Sequence, residues 1–272
     1  MVYINADVLL YLKILNQLFR RNSIINKIKN IQFFIVILLL LKIFINLFSL
    51  EFIEMNDLFS VLVGSNIFLL SFLLTGVLSD FKEAEKIPSN LATIIHSLYL
   101  EIKAIKTFNP EANLETTQSS ILFLSNDLLN WLKGSFSTEK LISTYNSSHN
   151  DVVTATNLYK GDVSSLRGRL LGLMNEILED IYRVRVIRET DFAPFVAWMA
   201  NLVSYILLIG LVFVKSNNLI ESLFYLFVIS FFILLLLKII SDIDNPFDIS
   251  NPKSIENVAL FPLEKVIEII SN

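Results

Sequence analysis

Residues 58–79 read Leu-Phe-Ser-Val-Leu-Val-Gly-Ser-Asn-Ile-Phe-Leu-Leu-Ser-Phe-Leu-Leu-Thr-Gly-Val-Leu-Ser. About 20 mostly apolar residues suffice for a helix to cross a bilayer. This run is only moderately apolar, because Gly64, Ser65, Asn66, Ser71 and Gly76 interrupt it. Small and polar residues inside a span point to contact with protein or water, not with lipid alone.

Three further runs of span length flank it. One covers 31–50, with Lys42 inside; one covers 193–214, with Pro194 at its start and Asn201, Ser204 and Gly210 within; one covers 219–241. Hydrophobic residues make up 54% of the 272-residue chain, above the soluble average, and the four runs account for the excess. The expected fold class is all-α: an integral membrane protein with four transmembrane helices as two hairpins and a long helical cytosolic region between them. The expected divisions are a basic N-terminal segment 1–30, a hairpin 31–79, a helical region 80–192, a hairpin 193–241 and a tail 242–272.

Basic residues near span ends set orientation. Lys13, Arg20, Arg21, Lys27 and Lys29 precede the first span, and Arg183, Arg185 and Arg188 precede the third. The turn after the first span carries Glu51, Glu54 and Asp57 and no base; the turn after the third carries only Lys215. Both termini and the central region are therefore expected on the cytoplasmic side, or its organellar equivalent.

The central region repeats apolar residues at helical spacing. Ile87, Leu91, Ile94, Ile95, Leu98, Ile102 and Ile105 form one seam, Leu114, Ile121, Leu124, Leu128 and Trp131 or Leu132 a second, and Val163, Leu166, Leu170, Leu173, Ile177, Ile181 and Val184 a third. The Ser/Thr/Asn-rich stretch 138–156 reads best as a loop, with a polar helix as the other option. The second span is expected to continue as helix through Lys82 and Glu83 as far as Pro88.

Chemistry is scarce. With no cysteine, thiolate sites and disulfides are excluded. His96 and His149 lie far apart, and no phosphate loop, nucleophile elbow or metalloprotease pair is present. A net charge of −4 gives no case for a nucleic-acid partner. Neither enzyme activity nor a cofactor is expected, and no metal site is assigned.

Three features stand out. Lys42 and Asn46 lie one turn apart on one face of the first span, where a base costs about 2.5–3.5 kcal/mol on insertion scales. They read as an anion-attracting element or an internal brace that Asn66 or Asn201 faces, or Lys42 simply snorkels to a surface. Gly64, Phe68 and Phe72 recur every fourth residue and share a helix face. Copies of that face around an axis would form an apolar constriction that gates by dewetting, and its aromatic edges tolerate anions. Finally, Asp242, Asp244, Asn245, Pro246, Phe247 and Asp248 form an acidic turn after the fourth span, either a cation-binding turn or a packing turn without the glycine of an EF-hand loop. A short apolar helix with Leu260, Phe261, Leu263, Val266, Ile267 and Ile270 follows.

The order of these parts resembles the bestrophin-like membrane proteins. The stretch Asn66-Ile67-Phe68-Leu69-Leu70-Ser71-Phe72, running through Asp80 to Ile87-Pro88, is similar to that family's second helix, where spaced aromatics line a neck. Asp244-Asn245-Pro246-Phe247-Asp248 and Leu260-Phe261-Pro262-Leu263 resemble elements that follow its last span, with Asp248 in place of the family's glycine. The resemblance implies a homo-oligomer, a pentamer, that passes inorganic anions such as chloride or bicarbonate through the membrane lipid. Phe68 and Phe72 would line its neck. The alternative reading is a non-conducting, membrane-anchored scaffold whose helical region binds a partner protein.

Overall fold

The computed structural model describes residues 29–54, 56–190, 193–216, 218–249 and 257–271. Most of the expected basic N-terminal segment, including Lys13, Arg20, Arg21 and Lys27, lies outside the described residues. In chain order the elements are α1 (Lys29–Leu47), β1 (Ile53–Glu54), α2 (Asp57–Phe108), α3 (Glu115–Leu132), α4 (Thr138–Thr156), α5 (Val163–Glu189), α6 (Pro194–Val212), β2 (Val214–Lys215), α7 (Leu219–Ile243) and α8 (Phe261–Ser271). Among the described residues, four helical segments are long and apolar enough to cross a membrane: α1, the first part of α2, α6 and α7.

Contacts divide the chain at residues 78/79, 191/192 and 244/245 into two compact units. The first contains α1, the start of α2, α6 and α7. Its core includes Leu38, Ile45, Phe59, Val63, Leu70, Leu73, Leu207, Leu211, Leu226 and Ile233. Pro194 opens α6, where its missing N–H costs nothing to the helix ladder. The Asn218 side chain caps α7 by accepting from the Ile220 N–H at 3.0 Å. The turns after α1 and α6 pair as a two-stranded parallel ribbon, Ile53 with Val214 and Glu54 with Lys215. That pairing joins two segments 161 residues apart in the chain, 214 minus 53.

The second unit contains the rest of α2 with α3, α4, α5 and α8, packed on one apolar core. Helix α2 does not stop at Pro88; its 52 residues run unbroken to Phe108. An interior proline removes a ladder bond and costs about 3 kcal/mol. Here Ala84, Ile87, Leu91, Ile94, Ile95, Leu98, Ile102 and Ile105 are all buried around it, and that burial exceeds the cost. The 138–156 stretch is helix α4, not a loop. Ser137 caps it, and Leu141, Tyr145, Ser148, Val152 and Ala155 form a narrow buried seam. Polar members of the seam are satisfied: Ser120 Oγ donates to Ser148 Oγ at 3.1 Å, and the Tyr145 hydroxyl donates to the Met174 carbonyl at 3.0 Å. Helix α5 starts at Asp162, whose carboxylate accepts from the Ser164 and Ser165 amides. Its buried seam runs Leu166, Leu170, Met174, Ile177, Ile181 and Val184, with Met174 in the place expected for Leu173. Leu173 is only partly buried at the edge of the same core.

Candidate functional site

Helix α2 presents two different faces over its membrane-length part. Phe59, Val63, Asn66, Leu70, Leu73 and Val77 are buried in the bundle. Phe68 and Phe72 point away from it, 74% and 61% exposed. Gly64 lies on the same open face, and a Cβ built there would meet nothing within 4 Å. Ser71 and Thr75 share the face, their hydroxyls donating back to the Ile67 and Ser71 carbonyls at 2.8 and 2.9 Å. The open face of α1 is different: beyond Gln32 in its first turns it carries Phe33, Ile37, Leu40, Leu41, Phe44 and Leu47.

Lys42, Asn66 and Ser204 are turned inward. Lys42 is completely buried and does not snorkel to a surface. Its ammonium donates to Glu51 at 2.6 Å and to the Val214 carbonyl, while Asn46 donates to the same Glu51 oxygen at 3.3 Å. Burial pushes the Glu51 carboxyl up, but the hydrogen bonds and charge of Lys42, with Asn46 and a backbone bond from Ser216, outweigh it and hold it below its ordinary value. One cation thus ties α1 to β2 and to the turn that leads into β1. Neither asparagine expected opposite Lys42 bonds to it. Asn66 is buried and exchanges bonds with Ser204, whereas Asn201 is exposed and donates to the Ala197 carbonyl of its own helix at 2.9 Å. The sequence carries no signal for Val214 or Ser204 as partners, since spacing says nothing about a contact 172 or 138 residues away; Glu51 lies only 9 residues from Lys42 and reads there as a turn charge.

The acidic turn follows α7 directly. Asp242 pairs with Lys238 one turn earlier at 2.8 Å, and the Asp248 amide donates to the Asn245 carbonyl at 3.2 Å. Asp244 caps the helix, Asn245 is exposed, and Pro246 and Phe247 are buried. Among the described residues, no group of three or more His, Asp or Glu stands close enough to hold a metal. Phe247 meets Arg188, whose guanidinium lies 5.5 Å from that ring and 4.8 Å from the Trp131 ring. Arg188 also donates to the Trp131 and Leu132 carbonyls at 3.1 and 2.9 Å, capping the end of α3. Burial lowers its pKa from the usual arginine value. In the sequence Arg188 figures only as an orientation charge, and Trp131 only as apolar surface.

No protein-family model matches the chain, and no curated protein matches it in sequence. Solved structures do. The chain is similar to a point-substituted bacterial bestrophin homologue from Klebsiella pneumoniae at 14% identity and a TM-score of 0.70, covering 89% of this chain and 99% of that one. A second substituted form gives 14% identity and 0.68 over 89% and 96%. A third structure of the Klebsiella homologue, phased on zinc, gives 14% and 0.67 over 88% and 95%. At that identity the likeness is one of fold. The fold is bestrophin-like, and with its four apolar helices the chain is an integral membrane protein.

Proposed function

We propose that the chain is a homo-oligomeric ion channel, a pentamer if it follows the family it resembles, that conducts inorganic anions such as chloride or bicarbonate. The observation that carries this is the contrast between open helix faces. The apolar face that α1 presents beyond Gln32 suits lipid. The α2 face mixes Gly64, Ser71 and Thr75 with Phe68 and Phe72, which suits a conduit shared between copies. Ring edges of Phe68 and Phe72 converging on an axis would narrow it to an apolar neck, and dewetting would gate it. A single protomer has too few spans to enclose a path, so the axis lies between copies. The spans form two hairpins, with both termini and the second unit on the cytoplasmic side, as the Lys and Arg distribution directs.

The test is ion flux in proteoliposomes, comparing wild type with Phe68→Ala and Phe72→Ala. Chloride flux that rises or loses its gating in the alanine variants supports the neck. A correctly inserted oligomer that passes no ion rejects the channel and leaves the scaffold reading.

A further inference from the structure

Helix α2 is unbroken, so the direction of the neck face can be followed along it. No residue from 58 to 79 is charged, and the first charges beyond the span are Asp80, Lys82, Glu83, Glu85 and Lys86. At 3.6 residues per turn, Lys86 lies within about 20° of the mean direction of Phe68 and Phe72, Glu83 within about 40° and Lys82 within about 60°. Asp80 and Glu85 fall on the flanks, at about 100° and 120°. Three charges therefore follow the neck on its own face, two basic and one acidic.

The acidic one is neutralised within its own unit. Arg183 on α5 donates to both carboxylate oxygens of Glu83, Nε to Oε1 at 2.7 Å and Nη2 to Oε2. A two-pronged pair of this kind is the strong form of the guanidinium–carboxylate contact. Lys86 lines a cleft of about 510 Å³ with Glu83, Asn90, Asp180 and Arg183. Asp180 is the other acid there; it is half-buried and bound by Asn90 Nδ2 at 2.9 Å, whereas Lys82 and Lys86 are exposed.

We propose that Lys82 and Lys86 set the charge preference of the permeating ions, and that Arg183 keeps it anionic by cancelling Glu83. This rests on the channel reading and assigns its selectivity to residues beyond the aromatic neck. In an oligomer the lysines form a positive ring where ions leave the neck. Removing Arg183 adds one negative charge per copy to that ring without touching the pathway helix.

The experiment is reversal potential in planar bilayers under a NaCl gradient, each variant first shown to run as the wild-type oligomer. Wild type should prefer chloride over sodium. Lys82→Gln with Lys86→Gln should lower the chloride/sodium permeability ratio several-fold, and more so at low ionic strength, where the Debye length exceeds about 10 Å. Arg183→Gln should lower it as well, and adding Glu83→Gln should restore it, which loss of a structural contact would not do. A conducting wild type whose ratio is unmoved by the lysine pair and by Arg183→Gln overturns the proposal and leaves the channel standing. A wild type that passes no ion overturns both.

Discussion

Lys42 Nζ lies 2.6 Å from a Glu51 carboxylate oxygen, with the lysine side chain fully buried and the glutamate 9% exposed. The pair holds α1 to the turn ribbon through the additional bond to the Val214 carbonyl. Removing one partner of a buried pair costs about 3–5 kcal/mol, because the other charge stays buried. Lys42→Met and Glu51→Gln should each destabilise the protein by roughly that amount in detergent unfolding. The double variant should recover much of the loss, since neither charge then remains; additive losses would show that the two residues do not act as a pair. Glu51 is held below its ordinary value of 4.5, so its contribution is full above that pH and fades as pH falls through the lowered value.

Asn66 and Ser204 make a smaller bond of the same kind. Asn66 Nδ2 donates to Ser204 Oγ at 3.0 Å, and the hydroxyl donates to Asn66 Oδ1 at 3.2 Å. Between membrane helices such bonds are worth about 0.6–1.7 kcal/mol. Ser204→Ala should lower stability within that range, read by the same unfolding assay, and should leave ion selectivity unchanged.

Asp180 should give the opposite sign of pH dependence from Glu51. Burial pushes its carboxyl up, Glu179 and Glu176 push the same way, and the Asn90 bond opposes them. The folded state therefore holds a proton that the unfolded state releases, and stability falls as pH rises from the ordinary aspartate value of 3.8 through the raised one. Asp180→Asn should raise the thermal midpoint at pH 7 and change it little near pH 3.5. A lowered midpoint at pH 7 would show that the charge is used, not tolerated.

Arg188 closes the end of α3 and seats Phe247. Its two bonds to carbonyls belong to the charged class, worth about 1.5–3 kcal/mol each. Arg188→Gln should destabilise the second unit by a few kcal/mol, about the worth of those bonds. In a Trp198→Phe background it should also shift Trp131 emission to the red. Arg188→Lys should not rescue either readout, because an ammonium cannot bridge both carbonyls while stacking on two rings.

Some of this architecture is a local property of the chain. Four stretches near 20 apolar residues declare themselves without any partner, as do seams such as Ile87–Ile105, whose apolar members repeat every three or four residues. Helix α4 hid because Ser148 holds a seam position with a hydroxyl that needs Ser120 beside it before it reads as core. Pro88 misled for a related reason. A proline's local preference ends a helix, and only the apolar packing on both sides of it carries α2 through to Phe108.

By itself the sequence determined the class of protein, the approximate ends of its spans and which residue types stand on each helix face, all of which follow from helical periodicity and the apolar length a bilayer demands. Tertiary structure alone decided that Lys42 is braced by Glu51 and Val214, that Asn66 answers Ser204, that Arg183 cancels Glu83, and that Phe68 and Phe72 remain open while their neighbours are buried. Those outcomes depend on which distant segments meet, and a charge or hydroxyl in a linear chain has the same appearance whether its partner is water, lipid or a carboxylate 100 residues away.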